Sequence, residues 1–202
     1  MKVAIIDYGM GNVASVKKAF TFLGIASVLT RDAEEISNST HIVLPGVGAF
    51  KQGMDNLNSL GIVEILNHEI IVHKKPFLGI CLGMQLIAST GEEPENCNGL
   101  GWIEGHVTKI TNENLRIPHL GWNQLYTSYD SPLKQFEYKD FYFIHSYHFV
   151  VSNQQHIIAT VEYGETYVAA VQKENIMAVQ FHPEKSQQDG LNLLKNFVYS
   201  NA

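Results

Sequence analysis

Along the first half of the chain, short apolar blocks alternate with stretches in which apolar residues recur every three or four positions. Residues 2–6, 25–30, 41–44 and 77–80 have the length and composition of buried strands. Residues 12–23 predict a helix stopped by Gly24, helical segments run from Pro45-Gly46-Val47-Gly48 to about Val72, and residues 84–89 predict a further helix. Strands alternating with helices predict an α/β fold, a mostly parallel central sheet flanked by helices on both faces. After Gly101 the pattern changes. Residues 105–111, 141–151, 157–163, 167–172 and 177–181 are strand-like, Gly164-Glu165 reads as a hairpin turn, and residues 190–200 read as a closing helix. The second half should therefore add an antiparallel layer. No Pro/Gly/Ser-rich linker separates the halves, so residues 1–202 are expected to form a single domain.

Composition narrows the function classes. The 202 residues are 45% hydrophobic, enough for one sizeable core. The net charge of −6, with no run of Lys or Arg, argues against a nucleic-acid or anionic-membrane surface. Two cysteines make no disulfide framework, which points to a reduced, cytoplasmic setting. No stretch approaches the roughly 20 apolar residues of a membrane span, and the apolar N-terminal run is too short for a signal peptide.

Candidate chemistry centres on Gly79-Ile80-Cys81-Leu82-Gly83, where a cysteine falls at a strand-to-helix turn with glycine two residues away on each side. This is the nucleophile-elbow pattern with sulfur in place of oxygen. A helix N-terminus or a nearby histidine would lower the thiol pKa and make it reactive. The competing reading is a small buried apolar residue. In Phe181-His182-Pro183-Glu184, proline biases His182 toward extended backbone, so His182 and Glu184 can face one place, the carboxylate orienting the imidazole. Pro45-Gly46-Val47-Gly48 follows a strand and offers peptide N–H groups to an oxyanion. Gly9-Met10-Gly11-Asn12-Val13-Ala14 fits a dinucleotide fingerprint, with Asp32 roughly where a ribose-binding acid would sit, but a lone fingerprint has many false positives. His145 and His148 match no metal-ligand pattern, and neither metal nor cofactor is expected. Cys97 reads as incidental.

With these motifs the sequence resembles the triad (class I) glutamine amidotransferases, and within them the family of glutaminase subunits of imidazole glycerol phosphate synthase. The resemblance runs nearly end to end. It includes Asp7-Tyr8-Gly9-Met10-Gly11-Asn12, Gly99-Leu100-Gly101, Pro118-His119-Leu120-Gly121-Trp122-Asn123, His145-Ser146-Tyr147 and Phe181-His182-Pro183-Glu184-Lys185-Ser186. Leu120 stands where methionine is common, a volume-conserving change. The resemblance implies a flavodoxin-like fold and a glutaminase reaction: Cys81 attacks glutamine, His182 shuttles the proton, and Glu184 orients His182. Val47 and Leu82 would supply oxyanion N–H groups, and Gly48, Gln85, Ser146 and Tyr147 would hold L-glutamine. Ammonia would pass to a (β/α)₈-barrel cyclase subunit in histidine biosynthesis, docked near Asn12, Pro118, Trp122 and Lys185. The alternatives are a glutaminase for another acceptor, such as that of pyridoxal phosphate synthesis, a cysteine peptidase or esterase with the same elbow, and a non-catalytic binding module.

Overall fold

Period-two alternation in strand β1 (Val3–Ile6) sorts the core into two halves. Val3 and Ile5 face one side and Ala4 and Ile6 the other, all four fully buried. A strand buried on both faces needs cover on both, and the sequence supplies it. The computed structural model describes residues 1–112 and 114–200. Helix α1 (Val13–Phe22) begins at Asn12, whose Oδ1 accepts the Ser15 N–H at 3.3 Å, and ends before Gly24 at φ +69°. Strand β2 (Ser27–Thr30), helix α2 (Ala33–Ser37), strand β3 (His41–Gly46) and helices α3 (Phe50–Ser59) and α4 (Ile62–Leu66) follow. Helix α4 runs into a π-helical turn, Asn67–Val72. Strand β4 (Phe77–Cys81) passes directly into the short helix α5 (Leu82–Leu86).

The remainder is mostly strand: β5 (Thr90–Gly91), β6 (Cys97–Asn98), β7 (Gly105–Lys109), β8 (His119–Thr127), β9 (Asp140–His145), β10 (Tyr147–Val151), β11 (Ile157–Tyr163), β12 (Glu165–Lys173) and β13 (Ile176–Val179), closed by helix α6 (Gln187–Tyr199). Nine strands form one sheet in the order β2-β1-β3-β4-β13-β12-β11-β8-β9. The pairs from β2 to β13 are parallel and those from β13 to β9 antiparallel. Helices α1 and α6 cover one face through Val16, Phe20, Leu194 and Phe197. Helices α2 to α5 cover the other through Ile36, Phe50, Leu66 and Leu82.

The antiparallel half is arranged differently from a simple added layer. Most of it continues the central sheet, while β10-β7-β5-β6 make a separate small sheet. The predicted strand over residues 141–151 is two strands in different sheets, broken at Ser146. Strand β13, expected within the antiparallel part, runs parallel to β4 and is antiparallel only to β12. Helix α5 starts two residues before the predicted helix and ends at Leu86. Strand β8 was not anticipated at all.

Candidate active site

Three neighbouring strands end together at the carboxyl edge of the sheet, where open α/β folds place their sites. Strand β4 carries Cys81 as its last residue, β3 brings Gly46 into register with it, and β13 pairs Val179 with Ile80 and leads into Gln180-Phe181-His182. Cys81 has φ +55° and ψ −109°, a conformation that costs a non-glycine residue strain and marks a sharp elbow. Its two glycines are required by close approach. A Cβ on Gly79 would meet the Gly83 carbonyl oxygen at 2.7 Å, and one on Gly83 would collide with the Leu44 carbonyl.

His182 follows the same edge, its N–H bonded to the Tyr142 carbonyl at 2.9 Å and its own carbonyl accepting the Ser186 hydroxyl at 2.7 Å. The Nδ1 of His182 lies 2.8 Å from Glu184 Oε1, with the two side chains 2% and 1% exposed. Burial alone would lower the imidazole pKa. The hydrogen bonds and negative charge of Cys81 and Glu184 outweigh it and raise the value to about 9. Cys81 acts on the Nε2 side, and among the described residues no nitrogen or oxygen atom bonds that buried nitrogen, which leaves it for the sulfur. The structure thus brings Cys81, His182 and Glu184 into one group. The other cysteine differs: Cys97 lies in β6 of the small sheet, where burial first, and then Asp55 and Glu95, push its thiol pKa up.

A cavity of about 520 Å³ opens over the elbow, lined by Val47, Gly48, Cys81, Leu82, Gln85, Ser146 and Tyr147 from the sequence-derived set. Pro118 and Lys185, expected at a partner interface, also line it. His182 and Glu184 sit behind Cys81 rather than in the cavity wall, and Asn12 and Trp122 also lie outside it. Asn12 caps α1 on a loop in which Gly11 packs against the Gly46 backbone, and a Cβ there would sit 3.0 Å from the Gly46 Cα. Gly11 of the fingerprint therefore serves loop packing, and Asp32 Oδ1 caps α2 by accepting the Glu35 N–H at 2.9 Å.

The sequence reading gave no role to four polar groups here: Glu93, Gln180, His145 and Tyr8. Glu93 lines the cavity, and its Oε2 accepts the Phe50 N–H at 3.4 Å while burial raises its carboxyl pKa. The acidic pair Glu92-Glu93 after the elbow helix was its only sequence signal. Gln180 lies beside the sulfur, its Nε2 3.7 Å from Cys81 Sγ. His145, also on the cavity wall, bonds His119 at 3.1 Å and the Tyr147 carbonyl at 2.9 Å. Burial holds both imidazoles low, near 3 for His145 and 4 for His119, so both are neutral at physiological pH. The hydroxyl of Tyr8, buried without a partner among the described residues, is packed so close to Gly46 that a Cβ there would collide with it.

Far from this edge, His68, Glu69 and His73 place their donor atoms within 4.8 Å of one another. Glu69 already accepts from Lys75 at 2.7 Å and Ser37 at 2.8 Å. Burial opposes its ionisation, but the bonds from Lys75, Ser37 and His73 prevail and hold its carboxyl near 2. An ammonium at that distance repels a second cation, so the group reads as an ion-pair hub tying α2 to the π-helical turn.

The class-I glutamine amidotransferase family model matches residues 4–201. The chain is a class-I glutamine amidotransferase. Among relatives of this amidotransferase, the imidazole glycerol phosphate synthase subunit HisH 1 of Campylobacter jejuni (strain RM1221) is 46% identical over 199 residues, 97% of this chain and 98% of the relative. HisH 2 of Methanococcus maripaludis is 44% identical, again over 97% of this chain and 98% of the relative. HisH of Pelagibacter ubique is 43% identical, over 98% and 99%. The structure of PurLQS from Thermotoga maritima shares the fold, with TM-score 0.75 at 17% identity over 100% of this chain and 99% of that one. A crystal structure described as a glutamine amidotransferase has TM-score 0.75 at 20% identity over 97% and 96%.

Proposed function

We propose that this amidotransferase is the glutaminase subunit of an imidazole glycerol phosphate synthase and that Cys81, His182 and Glu184 carry its reaction. The observation that supports this most directly is the elbow cysteine facing the free Nε2 of an imidazole whose Nδ1 is held by a buried carboxylate. The thiol proton passes to His182 Nε2, and the sulfur attacks the side-chain carbonyl carbon of glutamine. Val47 and Leu82 contribute N–H groups toward the resulting oxyanion. Collapse of that intermediate breaks the C–N bond. His182 gives its proton to the departing nitrogen, and ammonia leaves a thioester on Cys81. Water, deprotonated by His182, then attacks the thioester and releases glutamate and the thiol. Glu184 keeps the proton of His182 on Nδ1 throughout.

Glutamine binding falls to Gly48, Gln85, Ser146 and Tyr147, with Glu93 as the carboxylate suited to the α-ammonium group. Both N–H donors of Gln85 are committed to the protein, so its oxygen is the part of the amide available to substrate. Beside the cavity runs an apolar face. Leu120, Trp122 and Tyr126 alternate outward along β8, and Ile144 lies opposite Leu120 on β9. Lys185 adds charge, its Nζ 5.8 Å from the centroid of the Tyr142 ring. This face, next to the site of ammonia release, is where we place a (β/α)₈-barrel cyclase that consumes the ammonia.

The test is glutamine-driven and ammonium-driven synthesis by the chain reconstituted with such a cyclase. Cys81→Ala should abolish the first and spare the second, because only the ammonia source is lost. Loss of both, or glutamine-driven synthesis without Cys81, would overturn the assignment. Release of glutamate without any cyclase binding would favour a glutaminase for another acceptor.

A further inference from the structure

Behind the sulfur lies a buried amide, Gln180, to which the reaction above gives no part, bonded to Gln85, which serves that reaction only through its oxygen. Gln180 follows the last residue of β13 and is fully buried, its backbone N–H bonded to the Ala169 carbonyl at 2.8 Å. Gln85, on α5, is buried as well. The Nε2 of Gln85 donates to the Tyr147 carbonyl at 3.0 Å and to Gln180 Oε1 at 3.1 Å. The Nε2 of Gln180 lies 3.7 Å from Cys81 Sγ.

A backbone carbonyl can only accept, so the Tyr147 oxygen demands the amino half of the Gln85 amide. That amino group in turn demands the oxygen half of Gln180. The amino group of Gln180 is then left facing the sulfur. One carbonyl therefore fixes the polarity of both amides and presents the nucleophile with an N–H donor. Turning Gln180 over would set donor against donor at Gln85 and oxygen against sulfur at Cys81.

We propose that Gln180 is a further catalytic residue, a donor that stabilises the Cys81 thiolate, with its orientation set by the Tyr147 carbonyl through Gln85. The inference rests on Cys81 being the nucleophile. The sulfur has need of such a donor. Helix α5 has only five residues, so little macrodipole is available to the sulfur from its backbone. The Ile144 carbonyl, 3.8 Å from Sγ, accepts from the neutral thiol and so favours the uncharged form. Of the titratable groups near the sulfur, His182 favours the thiolate when protonated, and the Tyr8 hydroxyl is uncharged. Glu184 acts only through His182, and His145 is neutral. Gln180 supplies a fixed donor that does not depend on the protonation of His182.

The experiment is the pH dependence of iodoacetamide alkylation in the intact chain, with Cys81 and Cys97 resolved by mass spectrometry. In the wild-type chain Cys81 should react faster than Cys97 at neutral pH. Gln180→Met, similar in volume but without the donor, should move half-maximal alkylation of Cys81 up by about one pH unit, a tenfold change in thiolate, and leave Cys97 unmoved. In glutamate release kcat should fall about tenfold or more with KM little changed. A purely structural role predicts a lower Tm with no movement of the alkylation profile, and that result in a folded variant overturns the proposal. Should Gln180→Met fail to fold, Gln180→Asn draws the donor back by one methylene and carries the same expectation. A wild-type Cys81 no faster than Cys97 would instead overturn the nucleophile on which the proposal rests.

Discussion

Burial works against the charge on His182, and Glu184 is one of the two groups that restore it. Glu184→Gln removes the charge while keeping the shape. The pKa of His182 should then fall from about 9 toward the ordinary value, which imidazole NMR can follow. The sign of the stability effect follows. A histidine raised in the folded state stabilises fully below its unfolded pKa of roughly 6.5, and that contribution is lost as pH rises through the folded value. The wild-type chain should exceed Glu184→Gln in Tm at pH 6, and the gap should close by about pH 10. A gap that widens with pH would contradict the ion pair. Glutamate release should drop on the order of 10²–10⁴-fold in Glu184→Gln, less than in His182→Ala, because the base remains. If the two variants were equally inactive with the fold intact, the carboxylate would need a more direct part in proton transfer.

At the scale of the element, the elbow depends on α5 lying hard against β3. Gly83 has no room for a side chain because the Leu44 carbonyl occupies the space a Cβ would need. Gly83→Ala should therefore cost several kcal/mol, on the order of 3 or more, and displace Cys81. Gly61→Ala is the control. It meets a positive φ of 65° but has open space around it, so it should cost only about 1–2 kcal/mol and leave activity intact. Thermal unfolding and glutamate release measured on both variants decide the matter, and equal losses would refute the packing argument. The same element shows why the sequence was readable here. Gly79-x-Cys81-x-Gly83 is a local pattern in which each residue answers to its own turn, and His182-Pro183-Glu184 is equally local. Gln180 and Glu93 carried no such mark, since their meaning lies in partners 95 and 43 residues away. The break at Ser146 was hidden because apolar residues continue on both sides of it, and only the switch between sheets separates β9 from β10.

At the scale of the whole molecule, the failure to foresee β8 is informative. Its inward positions include His119, Gly121 and Asn123, while Leu120, Trp122 and Tyr126 point outward, so the usual polarity of a half-buried strand is inverted over most of its length. A hydrophobic pattern aimed at solvent reads as no strand at all, unless the outward face is meant to be covered. Trp122 is 47% exposed and stands edge-on to Tyr142, with ring centroids 5.9 Å apart. Large exposed aromatics grouped in this way are the anchors on which interfaces concentrate binding energy. Trp122→Ala should then weaken cyclase binding by about 30-fold, the equivalent of roughly 2 kcal/mol. With about half of the ring already buried, its removal should also lower the Tm of the isolated chain, so binding is measured well below that Tm. The loop at Asn12, expected at the same partner interface, bears on control. Gly11 packs against Gly46, one residue before Val47, so a partner seated near Asn12 reaches the oxyanion loop through a single backbone contact. Reorienting one oxyanion donor is worth roughly 10²–10³ in rate. Glutamate release should therefore be slow in the isolated chain, faster with the cyclase and fastest with the cyclase holding its ligand. Trp122→Ala should lower the stimulated rate at limiting cyclase, recover it at saturating cyclase and leave the unstimulated rate alone. Equal release in all three states would sink the gate, and a loss that saturation does not restore would move Trp122 from docking to activation.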